Sequence, residues 1–236
     1  MIFSFLNAFL LYIVFAADVE PQAKAGIWNS IIQVFSSLLR LFHNLTNSWG
    51  LAIILFVIFT KLALLPLMLK QMRTMRDMQK LKPEIDKLQE KYKDDKQMQQ
   101  TKMMELYKEH NVSLGAGCLP MLIQLPILLA LYQAVVRLDE FNGAAFLWIK
   151  DLGAPDIPLV IITGIVMYFQ MQSQQKMSGQ AQQNQMMNLV YPFLIIFIGF
   201  KLPAGVVLYW AASNLAIVVQ NYFVYRKKEP VEKEAH

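Results

Sequence analysis

The sequence predicts an all-α integral membrane protein with a five-helix transmembrane core, an interfacial amphipathic helix and a cytoplasmic helical hairpin. Two features of composition indicate this class: 56% of the residues are hydrophobic and only 17% are charged, whereas a soluble domain usually carries about 25% charged residues. The mean hydropathy is +0.35, and the apolar residues gather in runs suited to crossing a bilayer. The net charge of +5 comes from basic residues between these runs, which favours a role in membrane orientation over sequence-specific binding of nucleic acid.

Composition argues against an enzyme, a cofactor and a metal site. The single cysteine, Cys118, excludes an internal disulfide. The histidines His43, His110 and His236 lie far apart in the sequence. The chain has no glycine-rich phosphate loop and no Gly-x-Ser-x-Gly motif. We therefore expect no catalytic residues, no cofactor and no bound metal.

The N-terminal region divides into an apolar leader and an extracytoplasmic segment. Residues 1–17 are apolar and end in small residues before Asp18, as in a signal peptide or an N-terminal anchor, and the sequence leaves open whether they are cleaved. Within residues 18–48, the stretch 27–45 places apolar side chains on one broad helical face. This pattern is typical of a helix in the membrane interface or of one packed on the protein's own core.

Five apolar segments form the predicted core over residues 49–225. They cover residues 49–69, 118–136, 157–173, 188–200 and 203–224. A polar link at 174–187 separates the third segment from the fourth, and a charged tail at 226–236 follows the fifth. An odd number of spans places the two ends of the core on opposite sides of the membrane.

Lysine and arginine residues sort between alternate loops. Sixteen of the twenty-two lie in residues 70–111, in the link 174–187 or in the tail. The opposite side carries Lys24, Arg40, Arg137, Lys150 and Lys201. Because loops rich in lysine and arginine stay in the cytoplasm, we expect a multi-pass protein with a cytoplasmic C-terminus.

The cytoplasmic segment 71–111 has the pattern of a two-helix hairpin. Apolar residues recur at steps of three and four through 71–92, and the polar run 93–96 indicates a turn. Pro83 either kinks the first helix or begins a new turn. Methionine-rich stripes adapt to varied partners, although a methionine-filled seam between the two helices explains the same pattern. The candidate contact residues are Met72, Met75, Met78, Tyr92 and Met103.

Lys61 is the principal candidate residue of the core. It lies in the otherwise apolar run 49–69, about 18 Å from Trp49 at ~1.5 Å per residue, and the five segments contain no acidic residue to pair with it. A cation at this depth costs at least about 2.5 kcal/mol. A water-filled groove is therefore favoured over a snorkelling lysine with hydrogen bonds between helices. The other candidate groove residues are Thr60, Gln124, Gln133, Gln170, Gln172, Trp210, Ser213, Asn214 and Gln220.

Several short motifs of this core recur in a known family. They are Thr60–Leu67 (TKLALLPL), Leu81–Ile85 (LKPEI), Leu88–Tyr92 (LQEKY), Gly117–Ile127 (GCLPMLIQLPI), Leu202–Gly205 (LPAG) and Leu208–Trp210 (LYW) with Asn214. In order and loop size they resemble the YidC-type membrane protein insertases, which include the mitochondrial oxidase-assembly and chloroplast Albino insertases. The resemblance covers roughly residues 27–225.

The resemblance implies an insertase of a bacterial cytoplasmic membrane. It implies a groove open to cytoplasm and lipid but closed outside, through which nascent membrane proteins enter the bilayer. It also implies the ribosome and a Sec translocon as partners, and we expect a monomer. Because only residues 18–48 precede the core, we expect a short form without the large extracytoplasmic domain of many relatives.

Lys61 occupies a position where bacterial relatives usually carry arginine. Lysine is a point charge that can lose its proton when desolvated, whereas arginine keeps its charge. Attraction of acidic or polar substrate segments by Lys61 therefore requires a wet groove. Two other functions stay open at this point: an assembly scaffold without insertion activity, and a small anion transporter.

Overall fold

The computed structural model describes residues 26–110, 119–178 and 196–226, where the chain is helical apart from turns, connecting segments and one isolated bridge. The helices are α1 Ile27–Thr46, α2 Trp49–Ala63, α3 Leu65–Lys80, α4 Lys82–Lys91, α5 Lys96–Glu109, α6 Leu119–Arg137, α7 Ile157–Ser178 and α8 Ala204–Arg226. A short 3-10 helix, Asp139–Phe141, follows α6. The predicted leader 1–17, most of the fourth span at 188–200 and residues 227–236 of the tail lie outside the described residues.

The described helices correspond to four of the five predicted spans. Helix α8 is long and apolar enough to cross a membrane over Ala204–Tyr222, and α2 with α3 would do so as one bent unit. Helices α6 and α7 contain the shorter apolar stretches Ile123–Arg137 and Ile157–Ser173. Helix α7 continues beyond the predicted end of its span to Ser178. The all-helical class is confirmed, and the count of five spans stays a prediction.

Helices α1, α2, α6, α7 and α8 form the core of the bundle. Helix α7 packs along α8, α8 packs against α2 and α6, and α1 packs against α2 and α6. Phe56 of α2 is fully buried, with its ring centroid 4.9 Å from that of Phe35 on α1 and 6.0 Å from that of Tyr209 on α8. Aromatic pairs at such distances contribute about 0.5–1.5 kcal/mol beyond the area they bury. One side chain of α2 therefore joins α1 to α8.

Helix α1 has an apolar face that is only partly covered. Ile32 and Leu39 are buried against the bundle. The exposed flank of the same face consists of Ile27, Val34, Leu41 and Leu45. Both sequence interpretations of residues 27–45 are therefore compatible with the fold, because the helix packs on the protein's own core and presents an apolar flank suited to a membrane interface.

Helices α2 and α3 meet at a bend of 61°, so the predicted span over 49–69 consists of two helices and is not straight. Pro66 lies in the first turn of α3. It has no N–H to donate to the carbonyl of Leu62, and proline at such a position is a recognised cause of sharp helix bends. As a result, Lys61 lies in the last turn of α2 rather than within a straight spanning helix.

Helices α4 and α5, which we call the helix pair, pack on each other through a small separate core. This core contains Leu81, Ile85, Met103, Leu106 and Tyr107. The predicted first helix over 71–92 is wrong in its bounds, because residues 71–80 belong to α3 and α4 begins at Lys82. Pro83 lies in the first turn of α4, where the missing N–H is not needed. It therefore begins a new turn, which was one of its two predicted roles.

Polar contacts fix the junction of the helix pair. The Asp95 carboxylate accepts hydrogen bonds from the backbone N–H groups of Gln97 and Met98 at 3.1 and 2.9 Å, which caps α5. The Gln99 side chain donates to the Gln89 carbonyl of α4 at 3.0 Å. The predicted turn at 93–96 therefore lies at the boundary where α5 begins.

The segment between α6 and α7 folds over the end of the bundle where α2 begins, which we call the Trp49 end. Phe141 is fully buried, and its ring centroid lies 4.5 Å from that of Trp49. The Gly205 N–H donates to the Leu152 carbonyl at 2.8 Å, which ties this segment to the first turn of α8. These contacts cover the Trp49 end with packed side chains and backbone.

An exposed ion pair adds α1 to the same assembly. Arg40 Nη2 donates to Glu140 Oε1 at 2.9 Å. The pKa of Glu140 is lowered by a hydrogen bond to its own backbone and by the Arg40 guanidinium. The contribution of this carboxylate is present at neutral pH and is lost as the pH falls through its folded pKa. Because both side chains are exposed, the pair contributes roughly 0–1 kcal/mol.

Replacing Gly50 by Ala is expected to destabilise the Trp49 end. A Cβ at Gly50 would overlap the ring of Phe146, and overpacking of this kind costs about 1–3 kcal/mol. Thermal unfolding of the purified variants in lipid nanodiscs measures the loss. Combining Gly50→Ala with Phe146→Ala should recover part of it, and strictly additive losses would contradict the contact.

Candidate functional site: a polar cluster beside Lys61

Lys61 introduces a positive charge into an otherwise apolar helix. It lies in the last turn of α2, and its side chain is partly buried. The ion pairs within the described residues are Arg40–Glu140, Lys80–Asp77 and Lys102–Glu105. In this part of the chain the Lys61 ammonium group is therefore not paired with a carboxylate. A charge at such a position needs water or polar partners.

A set of polar side chains surrounds the phenol of Tyr209 beside the last turn of α2. Gln124 Nε2 of α6 donates to the Tyr209 hydroxyl of α8 at 2.9 Å. The hydroxyl groups of Thr60 and Ser213 lie beside the same phenol. We call Thr60, Gln124, Tyr209 and Ser213 the polar cluster. It brings together α2, α6 and α8, and Lys61 follows Thr60 directly in the chain.

The two small hydroxyl groups of the polar cluster differ in their hydrogen bonding. Thr60 Oγ1 lies 2.9 Å from the carbonyls of both Phe56 and Val57, so it is satisfied within its own helix. Ser213 is 2% exposed, and its Oγ has no hydrogen-bond partner among the described residues. A buried hydroxyl without a partner costs about 1–3 kcal/mol. The Ser213 hydroxyl therefore lies beside the Tyr209 phenol without a hydrogen bond of standard geometry among the described residues.

Two other predicted residues of α8 are buried in the bundle. Trp210 belongs to the main hydrophobic core. Asn214 Nδ2 donates to the Trp210 carbonyl at 2.7 Å, a bond within the helix that satisfies this donor locally. These contacts indicate a structural contribution from Trp210 and Asn214.

The predicted glutamines lie in three different settings. Gln124 belongs to the polar cluster. Gln170 is buried and Gln172 is half-buried on α7, which packs against α3, the helix after the Lys61 segment. Gln133 lies near the Trp49 end, where its Oε1 accepts a hydrogen bond from Arg137 at 3.3 Å. The structure therefore separates Gln133 from Gln124 by about 14 Å along α6.

The predicted hairpin residues are also divided. Met72, Met75 and Met78 belong to α3, and their side chains lie outside the described part of the structure. Tyr92 ends α4 and is half-buried, with Lys91 Nζ 5.3 Å from its ring centroid. Met103 is buried in the core of the helix pair, in agreement with the alternative of a methionine in the seam. The exposed methionines of α5 are Met98 and Met104.

Tyr209 is the site residue that sequence reasoning missed. It lies in the Leu208–Trp210 motif, which was used only as a family signature. A tyrosine in an apolar run is usually assigned to the core or the interface, and this one is indeed buried. Its hydroxyl nevertheless links two helices, a pairing that depends on their arrangement in space.

Removing the bond between Gln124 and Tyr209 is expected to loosen α6 from α8. Hydrogen bonds between membrane helices contribute about 0.6 kcal/mol on average and up to ~1.7. Gln124→Leu and Tyr209→Phe should each lower stability by such an amount in thermal unfolding in nanodiscs. The double variant should lose less than the sum of the two, because both changes remove the same bond. Full additivity would show that the bond contributes nothing.

Comparison with known proteins identifies the family. The family model described as "60Kd inner membrane protein" matches residues 41–233. The membrane protein insertase YidC of Fusobacterium nucleatum is 40% identical over 205 residues, which cover 85% of this chain and 98% of that protein. The YidC of Geobacter sulfurreducens is also 40% identical, over 218 residues that cover 91% of this chain but 41% of that protein.

A solved structure agrees with the sequence comparison. It is the crystal structure of an active YidC insertase in which the first transmembrane domain is resolved. It matches with a TM-score of 0.65 and 27% identity, over 89% of this chain and 50% of that one. The resemblance found in the motifs is thereby confirmed, and the chain belongs to the YidC insertase family of the bacterial inner membrane.

Proposed function

We propose that this protein moves nascent membrane proteins into the bilayer of the bacterial inner membrane through a polar groove in which Lys61 attracts acidic or polar substrate segments. The observation that carries the proposal is the setting of Lys61. It is a partly buried cation in an apolar helix, without a carboxylate partner in the described residues, next to the polar cluster.

A hydrated groove accounts for this setting energetically. Water beside Lys61 removes most of the desolvation cost of a cation within the bilayer. The buried polar cluster supports the same conclusion, because a bridging water or a polar substrate segment would add a hydrogen bond of good geometry to the Ser213 hydroxyl. The charge then stays available to a passing substrate.

The lipid-exposed side of the bundle suits the apolar part of a substrate. Helices α7 and α8 expose large apolar residues to their surroundings. These include Ile161, Ile165, Phe169, Leu215 and Val219. A substrate helix would pack on this surface while its polar end occupies the groove.

The orientation proposed for the chain follows from its charges. The core has five spans, with the helix pair and the C-terminus in the cytoplasm and the Trp49 end outside. In the cytoplasm the helix pair receives the nascent chain, and its exposed Met98 and Met104 provide adaptable apolar contacts. By resemblance, the ribosome and a Sec translocon are partners of this monomer.

Substrate partitioning and the membrane potential supply the energy of insertion. The sequence contains no glycine-rich phosphate loop for nucleotide binding. Moving one elementary charge across 100 mV is worth about 2.3 kcal/mol. A negatively charged tail is therefore drawn outward once it has entered the groove.

Reconstitution tests the function itself. The purified protein in proteoliposomes should move the tail of a newly synthesised single-span reporter into the lumen. Added protease should then cleave the tail only after the membrane is opened. Liposomes without the protein provide the baseline. Failure to insert any reporter, together with binding to helices that are already inserted, would indicate an assembly scaffold, and anion flux without substrate protein would indicate a transporter.

A further inference from the structure

A tight turn at the Trp49 end displays two large apolar side chains. Phe146 N–H donates to the Ile149 carbonyl at 2.9 Å, and Ile149 N–H donates to the Phe146 carbonyl at 2.8 Å. Leu147 and Trp148 form the tip between them. Their exposed fractions are 75% and 51%, so the fold itself covers little of either side chain.

The backbone of this tip is strained for the residue that it contains. Leu147 has φ +51°, in the left-handed region that residues with a Cβ rarely adopt and that turns usually fill with glycine or asparagine. The other non-glycine residue with positive φ in the described chain is Asn47, a type that tolerates this conformation. A large apolar side chain is thus kept where a tight turn favours glycine.

The base of the turn is fixed firmly. Phe146 fills the space beside Gly50, and Ile149 is buried. The Asp151 carboxylate accepts hydrogen bonds from the backbone N–H groups of Gly143 and Gly153 at 2.9 and 2.8 Å. The tip is therefore held at a set position beside the first turn of α2.

Exposed apolar residues also occur on the two helices at this end of the bundle. Leu51, in the same first turn of α2, is 43% exposed, and Leu45 at the end of α1 is 70% exposed. Exposed leucines of this kind, in a chain of a membrane protein family, favour lipid as the covering material. Lys150 beside the tip is exposed and has a charge complementary to a lipid phosphate.

We propose that the Phe146–Ile149 turn is a membrane anchor, in which Leu147 and Trp148 insert among the headgroups and upper acyl carbons of the leaflet at the Trp49 end. Tryptophan prefers this zone because its ring is apolar and its N–H remains hydrated. The anchor fixes the depth of the Trp49 end in the bilayer. The proposal rests on the membrane location of the chain, whereas insertion activity is a separate property.

Fluorescence quenching tests the anchor with the intact protein in liposomes. The contribution of Trp148 is the difference in emission between the wild type and Trp148→Phe, since the chain contains four tryptophans. Phosphatidylcholine brominated near the headgroup end of its acyl chains should remove most of this contribution. Lipid brominated near the chain ends should remove much less, and aqueous acrylamide should have little effect.

Two further variants make the result decisive. Trp148→Phe with Ile165→Trp, on the exposed face of α7, provides a lipid-embedded control that the chain-end bromines should quench. Leu147→Gly relieves the backbone strain, so a structural role alone predicts an unchanged quenching profile, whereas the anchor predicts more quenching of Trp148 by acrylamide.

The possible outcomes separate the anchor from insertion. If bromines leave Trp148 unchanged while they quench the Ile165→Trp control, the anchor is rejected and the insertase function is untouched. If Trp148 becomes shielded from acrylamide only when another membrane protein is added, the tip docks a protein and the anchor is also rejected. If the control itself is not quenched, the bilayer placement fails, and with it both the anchor and the proposed function.

Discussion

Replacing Lys61 by Glu is expected to abolish insertion of a single-span reporter with an acidic outer tail, whereas Lys61→Arg should retain it. In the proposed groove the wild-type ammonium group would attract the tail, and a carboxylate at the same position would repel it. Between unit charges about 8 Å apart, at an effective dielectric constant of ~20, the interaction is about 2 kcal/mol in either direction. Each such step corresponds to roughly a 30-fold change in rate. Protease protection of the reporter, in cells depleted of their own insertase, measures the outcome.

The neutral variant sets the scale of this effect. Lys61→Ala removes the attraction without adding repulsion, so its insertion rate should fall between those of the wild type and Lys61→Glu. All variants must reach the membrane in equal amounts for the comparison. Equal insertion by all four proteins would mean that the groove charge is dispensable and would favour a scaffold.

Replacing Met103 by Ala is expected to unfold the helix pair. Met103 is 5% exposed and lies in a core of five buried residues, and truncation of a buried methionine costs about 2–5 kcal/mol. So small a core has little stability in reserve. Hydrogen–deuterium exchange over residues 82–109 should become fast in the variant, while exchange in α8 stays slow.

The next residue provides a matched control. Met104 is 47% exposed, on the same helix and of the same type. Met104→Ala should leave the exchange of the helix pair close to that of the wild type. Because alanine has a higher helix propensity than methionine, equal acceleration by both variants would show that a property of the methionine side chain other than its burial governs the stability of the pair.

Lys61 was identifiable from the sequence because its signal is local. One cation in a long apolar run is costly wherever the helices lie, so composition and position are enough to make Lys61 a candidate, and its role in the groove stays a prediction. The effect of Pro83 is also local. Its ring and missing N–H restrict it either to a kink or to the start of a helix, and the structure has it in the first turn of α4.

The bend at Pro66 was missed although the proline is visible in the sequence. Hydropathy is averaged over a window and does not register a lost backbone hydrogen bond. Residues 49–69 were therefore predicted as a span without its bend. The error also affected the helix pair, because α3 takes up residues 71–80 that were assigned to the first hairpin helix.

The membership of the polar cluster required tertiary structure. The bond between Gln124 and Tyr209 joins residues that are far apart in the chain. Gln133, in contrast, could have been separated from Gln124 in advance: nine residues at 100° each place the two on opposite faces of a helix. Helical periodicity alone therefore excludes Gln133 from the face of α6 that carries Gln124.

Exchanging the charges of the groove and the substrate tests most directly whether Lys61 recognises substrate by charge. Wild type and Lys61→Glu are reconstituted in proteoliposomes without a membrane potential, which removes the outward pull on negative tails. Each is given two reporters that differ only in an acidic or a basic tail. We expect the wild type to insert the acidic tail faster and Lys61→Glu to insert the basic tail faster. The same tail preference in both proteins would contradict a groove in which Lys61 recognises substrate by charge.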